Sequence, residues 1–271
     1  MVGPLAEIGC RIRRPRTLAT WLIDRLFDHV FDQCFGISSS TRASLSSLNL
    51  EAVDRAGYQA ISYLDFPRLI DGVNADGIFI DFGSGAGRCV CLAAQQSFER
   101  VIGVELSESL CGLARANIRT RRITNAQIEC ADATAYQIPP EATVFCFNNP
   151  FRGKILEAVL ANIIRSAAEH SRAVTVLASG SPIDAEFFRQ FQEAQGLQLC
   201  WRTILPTGCI GMVFMNSSPF PQIAPLEHDA RDHCNLPHEP ASDRDDDRGL
   251  PRSTRALVKV NGQKSLRASR V

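Results

Sequence analysis

From Gly77 onward, short apolar runs alternate with segments in which apolar residues recur at helical spacing. Short apolar runs predict buried strands, and apolar residues three and four apart predict amphipathic helices. The predicted strands are Ile78–Phe82, Arg100–Glu105, Ala126–Cys130, Thr143–Phe147 and Ala173–Leu177. The predicted helices are Arg88–Gln96, Ser107–Ile118, Lys154–Ala168 and Pro182–Ala194.

The regular part of the chain closes with two apolar runs, Leu197–Leu205 and Cys209–Met215, which the turn Pro206-Thr207-Gly208 joins. They are too close together for a helical crossover, so we expect an antiparallel hairpin. Alternating strands and helices that end in a hairpin predict an α/β fold. The expected architecture is a doubly wound, mostly parallel seven-stranded sheet with an antiparallel last strand.

The two ends of the chain differ in pattern from residues 76–216, for which we predict a Rossmann-like domain. Residues 1–75 predict a helical N-terminal extension or lid, with apolar residues at helical spacing over Thr17–Cys34. The aromatic residues Tyr58, Tyr63 and Phe66 lie just before the domain, and we expect them to fill the core. Residues 217–271 hold six of the fourteen prolines and predict a disordered polar tail.

Composition narrows the function classes. The chain has 271 residues, of which 45% are hydrophobic, enough for one domain with a large core plus extensions. Lys+Arg and Asp+Glu both number 29, so charge gives no argument for a nucleic-acid partner. No run approaches the roughly 18 apolar residues of a membrane span, and we expect no membrane association.

Ten cysteines is a high count, but their positions do not predict a disulfide framework. Cysteine behaves as a small core residue in apolar segments. Seven lie in such segments, namely Cys89, Cys91, Cys111, Cys130, Cys146, Cys200 and Cys209. We therefore expect reduced core thiols and a cytoplasmic setting. No metal is expected, because Cys89-Val90-Cys91 lacks metal-ligand spacing and His228, His233, Cys234 and His238 are a weak candidate.

The segment Asp81-Phe82-Gly83-Ser84-Gly85-Ala86-Gly87 directly follows the first predicted strand. Glycines at a strand-to-helix turn let the backbone approach a ligand and take φ values that other residues avoid. A carboxylate two residues before the first glycine would repel phosphates. It suits a positively charged ligand, and S-adenosylmethionine carries a sulfonium and an ammonium. The turn therefore indicates a methyl donor rather than NAD or ATP.

Polar residues also follow the next predicted strands, at the edge where open α/β sheets bind ligands. Glu105 ends the second strand and can accept hydrogen bonds from both hydroxyls of a ribose. Asp132 follows the third strand and can accept from an adenine amino group. Leu106 and Ala133 offer apolar contacts to the ring, and Asn148–Phe151 follows the fourth strand.

Over about residues 55–216, this order of motifs resembles the class I (Rossmann-like, seven-stranded) S-adenosylmethionine-dependent methyltransferases. The resemblance implies S-adenosylmethionine as cofactor, with the glycine turn under its methionine part and Asp81 in contact directly or through water. Glu105 is then the ribose ligand, and Asp132 faces the adenine. The implied cofactor site comprises Asp81, Gly83, Ser84, Gly85, Gly87, Glu105, Leu106, Asp132, Ala133 and Asn149.

The loop Asn148-Asn149-Pro150-Phe151 resembles the Asp/Asn-Pro-Pro-Tyr/Phe loop of amino-group methyltransferases. In that loop the polar side chain and a backbone carbonyl accept from the target nitrogen, and the aromatic ring stacks on the substrate. Here Asn149 stands where the first proline would be, so Asn148 or Asn149 is the polar member. Both are predicted catalytic residues, and Pro150 and Phe151 are predicted to bind substrate. The alternative is that an Asn caps the helix starting near Gly153.

The sequence thus predicts a methyltransferase that acts on an amino group of a protein or small molecule. Two alternatives stay open. One is a non-catalytic S-adenosylmethionine-binding module, and the other is an NAD(P) oxidoreductase, which the early third glycine at Gly87 and the acid at Asp81 disfavour. The acceptor is open among a protein lysine, a small molecule and a nucleic-acid base, and the oligomeric state is not predicted.

Overall fold

A computed structural model describes residues 18–40, 44, 48 and 54–216 of the chain. Its centre is a seven-stranded sheet with the order β3-β2-β1-β4-β5-β7-β6. The strands are β1 Ile78–Phe82, β2 Arg100–Glu105, β3 Ala126–Cys130, β4 Ala142–Asn148, β5 Thr175–Gly180, β6 Leu197–Ile204 and β7 Ile210–Asn216. The helices are α1 Leu18–Phe35, α2 Asp65–Leu69, α3 Arg88–Ala93, α4 Glu108–Thr120, α5 Gly153–Glu169 and α6 Ala185–Glu193.

The sheet has the predicted topology. Strands β1 to β5 pair in parallel, whereas β7 pairs antiparallel with both β5 and β6. The expected doubly wound sheet with a terminal hairpin is therefore confirmed. The carboxyl ends of β1 to β4 meet at one edge of the sheet, where ligands bind in open α/β folds.

Some predicted boundaries differ from the observed ones for local reasons. Helix α3 ends at Ala93 rather than Gln96, because the following amides of Gln95 and Gln96 bond to the third residue back instead of the fourth. Strand β5 begins later and ends later than predicted, at Gly180. Its last residues are small, and Gly180 packs against Asn149 and Phe188. Residues 217–271, for which a disordered tail was predicted, lie outside the described residues.

Each face of the sheet carries its own apolar layer. Alternate residues of β1 divide between them, with Ile80 and Phe82 in one layer and Phe79 in the other. Asp81 lies on the Phe79 face, where its register partners are Gly103 on β2 and Cys146 on β4. A carboxylate thus occupies an otherwise apolar face directly beneath the glycine turn.

The prediction that the cysteines are core residues holds for part of the set. Cys89, Cys91, Cys111 and Cys146 are buried, but Cys130 and Cys200 are exposed, so the prediction was wrong for these two. Cys200 lies on β6, the edge strand of the sheet, which has no further strand to cover it. Among the described residues, no helix combines the length and the apolar character needed to cross a membrane.

Candidate active site

A cleft opens at the carboxyl edge of the sheet and encloses about 710 Å³, its open mouth included. Its lining brings together residues that the sequence places up to 107 positions apart, from Leu48 to Ile155. The predicted residues that line it are Gly83, Glu105, Leu106, Asp132, Ala133, Asn148, Asn149, Pro150 and Phe151. The predicted residues Asp81, Ser84, Gly85 and Gly87 are not part of this lining.

The glycines of the turn are required by backbone conformation and by packing. Gly83, Gly85 and Gly87 have φ values of 74°, 55° and 80°, in the left-handed region that favours glycine. A Cβ at Gly83 would lie 2.2 Å from Pro150, and one at Gly85 would lie 2.1 Å from the ring of Tyr58. The space that these glycines leave open is therefore filled by protein atoms.

Asp81 lies under the turn. Its side chain is 2% exposed, and burial raises the pKa of Asp81 to about 7 against a hydrogen bond from Cys89 that lowers it. The negative charge of Glu105 adds to the rise in the pKa. Asp81 is not part of the cleft lining, and the glycine turn separates it from the cleft.

Glu105 joins the glycine turn to the end of β2. Its Oε2 accepts a hydrogen bond from the backbone N–H of Gly85 at 2.9 Å, and its Oε1 accepts from the N–H of Ser107 at 2.8 Å. A carboxylate oxygen has two lone pairs, so each oxygen retains one for a ligand hydroxyl. The side chain is 8% exposed and fixed at the cleft, in an arrangement that fits a ribose diol.

Asp132 stands at the end of β3 and caps a short 3-10 helix, Ala133–Ala135. Its Oδ1 accepts from the hydroxyl of Thr134 at 2.7 Å and from the Thr134 N–H at 2.8 Å. These two bonds hold the pKa of Asp132 below its ordinary value. The ionised Oδ2 is left to accept from a ligand amino group, beside the partly exposed Leu106 and Ala133.

The Asn pair at the end of β4 is oriented by distant residues. Asn148 donates from Nδ2 to the carbonyl of Gln59 at 3.0 Å and accepts at Oδ1 from the hydroxyl of Ser179 at 2.8 Å. Asn149 has φ 47° and donates from Nδ2 to Asp184 at 2.9 Å, which leaves its Oδ1 as an acceptor at the cleft.

The capping alternative for this Asn pair was wrong. The N-cap position of α5 is Arg152, with no side-chain cap. The first amides of the helix, those of Gly153 and Lys154, donate to the side chains of Gln190 and Asp54 instead.

Pro150 and Phe151 have different surroundings. Pro150 packs against Gly83, and its carbonyl accepts from the N–H of Ala56 at 3.0 Å. Phe151 is 7% exposed, and its ring meets that of Phe147 edge-on at 6.0 Å between centroids. Phe151 therefore belongs to the core and presents only a margin of its ring to the cleft.

One side of the cleft is formed by residues 54–61, which we call the wall segment. Arg55 forms an antiparallel bridge with Phe151, and the N–H of Arg152 donates to the carbonyl of Asp54 at 2.8 Å. Tyr58 lines the cleft and donates from its hydroxyl to the carbonyl of Ser39 at 2.8 Å. The sequence favoured a core role for Tyr58 over a place beside a ligand, whereas its position in the cleft lining agrees with the second alternative. No local motif marks the wall segment.

Arg88, the first residue of α3, anchors the wall segment to the sheet. Its guanidinium is 1% exposed and forms ion pairs with Asp28 at 2.8 Å and Asp32 at 3.3 Å. It also donates to the carbonyl of Ile61 at 2.9 Å and lies 4.4 Å from the ring centroid of Tyr63. The serines 39 and 40 complete this buried polar cluster. Sequence reasoning missed it, since an Arg at the start of a helix is ordinarily solvated.

Comparison with known proteins agrees with this geometry. Residues 79–170 match the sequence profile of a family described as methyltransferase domain. That range contains β1 to β4, the glycine turn, Glu105, Asp132 and the Asn148–Phe151 loop. The match confirms the resemblance found from the sequence and disfavours the oxidoreductase alternative. A search of the curated proteins finds no match to this chain.

The solved structures that match this chain are distant from it in sequence. One is a SAM dependent methyltransferase from Aquifex aeolicus, with 13% identity, a TM-score of 0.47 and coverage of 56% of this chain and 90% of that chain. An RNA methyltransferase from Salinibacter ruber in complex with S-adenosyl-L-homocysteine has 19% identity, a TM-score of 0.42 and coverage of 60% and 95%. A ribosomal protein L11 methylase from Lactobacillus delbrueckii subsp. bulgaricus has 14% identity, a TM-score of 0.43 and coverage of 54% and 73%.

Proposed function

Because residues 79–170 of this chain are a class I S-adenosylmethionine-dependent methyltransferase domain, we propose that the chain methylates an amino nitrogen of a protein or small molecule. The observation that carries the proposal is the Asn148–Asn149 pair at the cleft. Each amide has its NH2 group bound within the protein, to Gln59 and Asp184 respectively. The Oδ1 of Asn148 accepts from Ser179, so the acceptor oxygen that this pair offers to a ligand is Oδ1 of Asn149.

The other cleft residues fit the cofactor. Glu105 and Asp132 present carboxyl oxygens with spare lone pairs, at the ends of β2 and β3. Leu106 and Ala133 offer apolar surface between them. Bound S-adenosylmethionine supplies a methyl group on a sulfonium, from which a neutral thioether leaves without needing an acid.

The protein therefore has to align the two reactants and exclude water. Positioning a nucleophile at near-attack distance supplies a large part of the barrier reduction in such displacements. Asn149 accepts a hydrogen bond from the target nitrogen at Oδ1 and so directs the nitrogen lone pair. Asn148 positions this loop against the wall segment through Gln59 and against β5 through Ser179.

Transfer of labelled methyl to fractions of a lysate tests the activity, and chemical analysis of the labelled product identifies the acceptor atom. Asn149→Ala should lower transfer to the acceptor about 100-fold, the order of loss from a misplaced reactant. Asn74→Ala is the matched control, because Asn74 is exposed and outside the cleft lining. Equal transfer by the two variants, or label found only on carbon or oxygen, contradicts the proposal.

The remaining alternative is a binding module without turnover. A wild-type protein that binds S-adenosylhomocysteine in calorimetry and labels no fraction would establish that alternative. A wild-type protein that binds neither S-adenosylmethionine nor its product would contradict the cofactor site itself.

We also propose a cytoplasmic, reducing setting. Cys89 and Cys146 have their sulfurs 3.8 Å apart and unbonded. Titration of the unfolded, chelator-treated protein should then find all ten cysteines as thiols. Recovery of fewer thiols would contradict this setting.

A further inference from the structure

Three ligating side chains of different kinds meet beneath the glycine turn. Asp81 on β1, Cys89 on α3 and Cys146 on β4 place one ligand atom each within 4.8 Å of one another. Their exposed fractions are 2%, 4% and 0%. The two sulfurs are 3.8 Å apart. No bond of the proposed methyl transfer involves this cluster.

Within the described part of the chain, the carboxylate of this cluster lacks the cationic partner that buried acids ordinarily have. Buried carboxylates are ordinarily paired with a cation or a strong set of hydrogen bonds. None of the ion pairs among the described residues includes Asp81. The Cys89 thiol donates to it, and a thiol is a weak donor. The site therefore holds a buried acid without a countercharge.

A second polar atom beside the cluster is also unsatisfied. Among the described residues, the hydroxyl of Ser84 is the buried side-chain oxygen without a hydrogen-bond partner. It lies 2.6 Å from the place of a Cβ on Gly103, and Gly103 is the register neighbour of Asp81 in the sheet. The orphaned hydroxyl thus stands over the same row of the sheet as Asp81 and Cys146.

We propose that Asp81, Cys89 and Cys146 bind one cation of the zinc class, with the Ser84 hydroxyl as a candidate fourth ligand. Thiolates and a carboxylate are ligands that Zn²⁺ takes in proteins. A tetrahedral site with Zn–S bonds of about 2.3 Å has a sulfur–sulfur edge of about 3.8 Å. The observed separation of 3.8 Å matches that edge.

Binding replaces the two thiol protons, which leave to solvent, and the cation becomes the countercharge of Asp81. It joins β1, β4 and α3 in a single cross-link under the turn. The glycine turn is then held from below by the cation and from above by Pro150 and Tyr58. This site is independent of which acceptor is methylated.

Elemental analysis of the full-length protein, purified without chelators or a metal-binding tag, tests the site. We expect about one zinc ion per chain in the wild type, and a loss of that zinc in Cys89→Ser and Cys146→Ser. The matched control is Cys91→Ser, because Cys91 is a buried thiol of α3 outside the cluster, and it should keep the ion.

A second variant distinguishes this site from a metal site in residues 217–271. Cys234→Ser removes the cysteine among the tail histidines and should leave the zinc content unchanged. If metal is lost during purification, refolding the wild type from urea with equimolar Zn²⁺ should restore it. Replacement of the zinc by Cd²⁺ should give a charge-transfer band from the thiolates. The proposal is overturned if the wild type holds no metal after refolding, or if Cys234→Ser loses the ion while Cys89→Ser keeps it.

Discussion

The two sides of the cleft are built in different ways. On the sheet side, the groups that fix Glu105 and Asp132 lie 2 to 20 residues away in sequence. On the wall side, the bonds that fix residues 54–61 join positions 19 to 100 residues apart. The side proposed to bind the cofactor is thus set within neighbouring βα units, whereas the side proposed to bind the acceptor depends on contacts that only the complete fold brings together.

The two sides of the cleft should therefore respond differently to changes in distant parts of the structure. The sheet side loses little when a distant element shifts, because each acid stands on its own strand end. The wall segment is held by the buried Arg88 cluster at one end and by the Asn148–Lys154 loop at the other. Loss of either anchor should therefore disturb the acceptor end first.

The largest expected effect comes from Arg88→Leu. Removing one partner of a buried ion pair leaves an uncompensated charge and costs about 3–5 kcal/mol of the free energy of unfolding. Here Asp32, with a side chain 4% exposed, is left unpaired. Urea denaturation measures the loss, and Arg68→Ala is the control. Arg68 and Asp71 are 49% and 52% exposed, so about 0–1 kcal/mol is expected there. Equal losses of the free energy of unfolding in the two variants would show that the Arg88 cluster does not anchor the wall segment.

Gly85→Ala tests the contact between Tyr58 of the wall segment and the glycine turn. The new Cβ would lie 2.1 Å from the Tyr58 ring at a φ of 55°, so we expect a loss of about 1–3 kcal/mol from overpacking, with backbone strain in addition. Gly112→Ala is the opposite case, because nothing lies within 4 Å of its Cβ position and it is in α4. It should gain about 0.5–1 kcal/mol. Thermal unfolding of both variants checks the contrast in sign.

Glu105→Ala tests the sheet side alone. It should weaken binding of S-adenosylhomocysteine by the roughly 1.5–3 kcal/mol of a charge-assisted hydrogen bond, about 10- to 150-fold in Kd. Glu108→Ala, an exposed acid in the first turn of α4, should leave the Kd unchanged. Calorimetry gives both values. An unchanged Kd for Glu105→Ala would remove the ribose role.

The smallest expected effect is a loss of folding stability at low pH. Burial alone would raise the pKa of Asp32, but hydrogen bonds from Tyr63, Ser40 and Ser39 and the charge of Arg88 outweigh it and lower the pKa. A lowered folded-state pKa gives stability that is complete above the unfolded pKa of about 4 and is lost as pH falls through the folded value. The stability of the wild type should therefore fall below about pH 4.

Asp32→Asn should flatten this acid slope more than Asp132→Asn, because Asp32 lies in a buried network and Asp132 is solvated. Denaturant midpoints measured from pH 5 to pH 2, the range spanned by carboxyl titration, give the two slopes. A steeper contribution from Asp132 would place the acid-sensitive part of the molecule on the sheet side.

The parts predictable from sequence are those that local chemistry determines. Ile78–Phe82 and Arg100–Glu105 have the predicted bounds, because buried parallel strands are largely apolar runs. Ala126–Cys130 at the edge of the sheet also has the predicted bounds, although only Ile128 of that strand is buried. The hairpin follows from a short connection around Gly208, where φ is 82°. The acids at two of these strand ends then fall at the cleft without further information.

The remaining parts carry no local signal. Nothing near Arg88 in sequence indicates that residues 28, 32 and 61 surround it. The orientation of Asn148 depends on Gln59 and Ser179, which lie 89 and 31 residues away. The predicted contact of Asp81 with the methionine part, directly or through water, stays a prediction, and no local signal shows that Asp81 lies under the turn and outside the cleft lining.

At Asn149, the proposed catalytic role and the stability of the backbone make opposite demands on the residue. A left-handed residue other than glycine costs conformational energy, and that cost persists only where the side chain has a use. Glycine at this position would relax the backbone while deleting the amide that binds Asp184. Under the proposed function, Asn149→Gly would therefore lose methyl transfer while it relieves the left-handed backbone strain at this position.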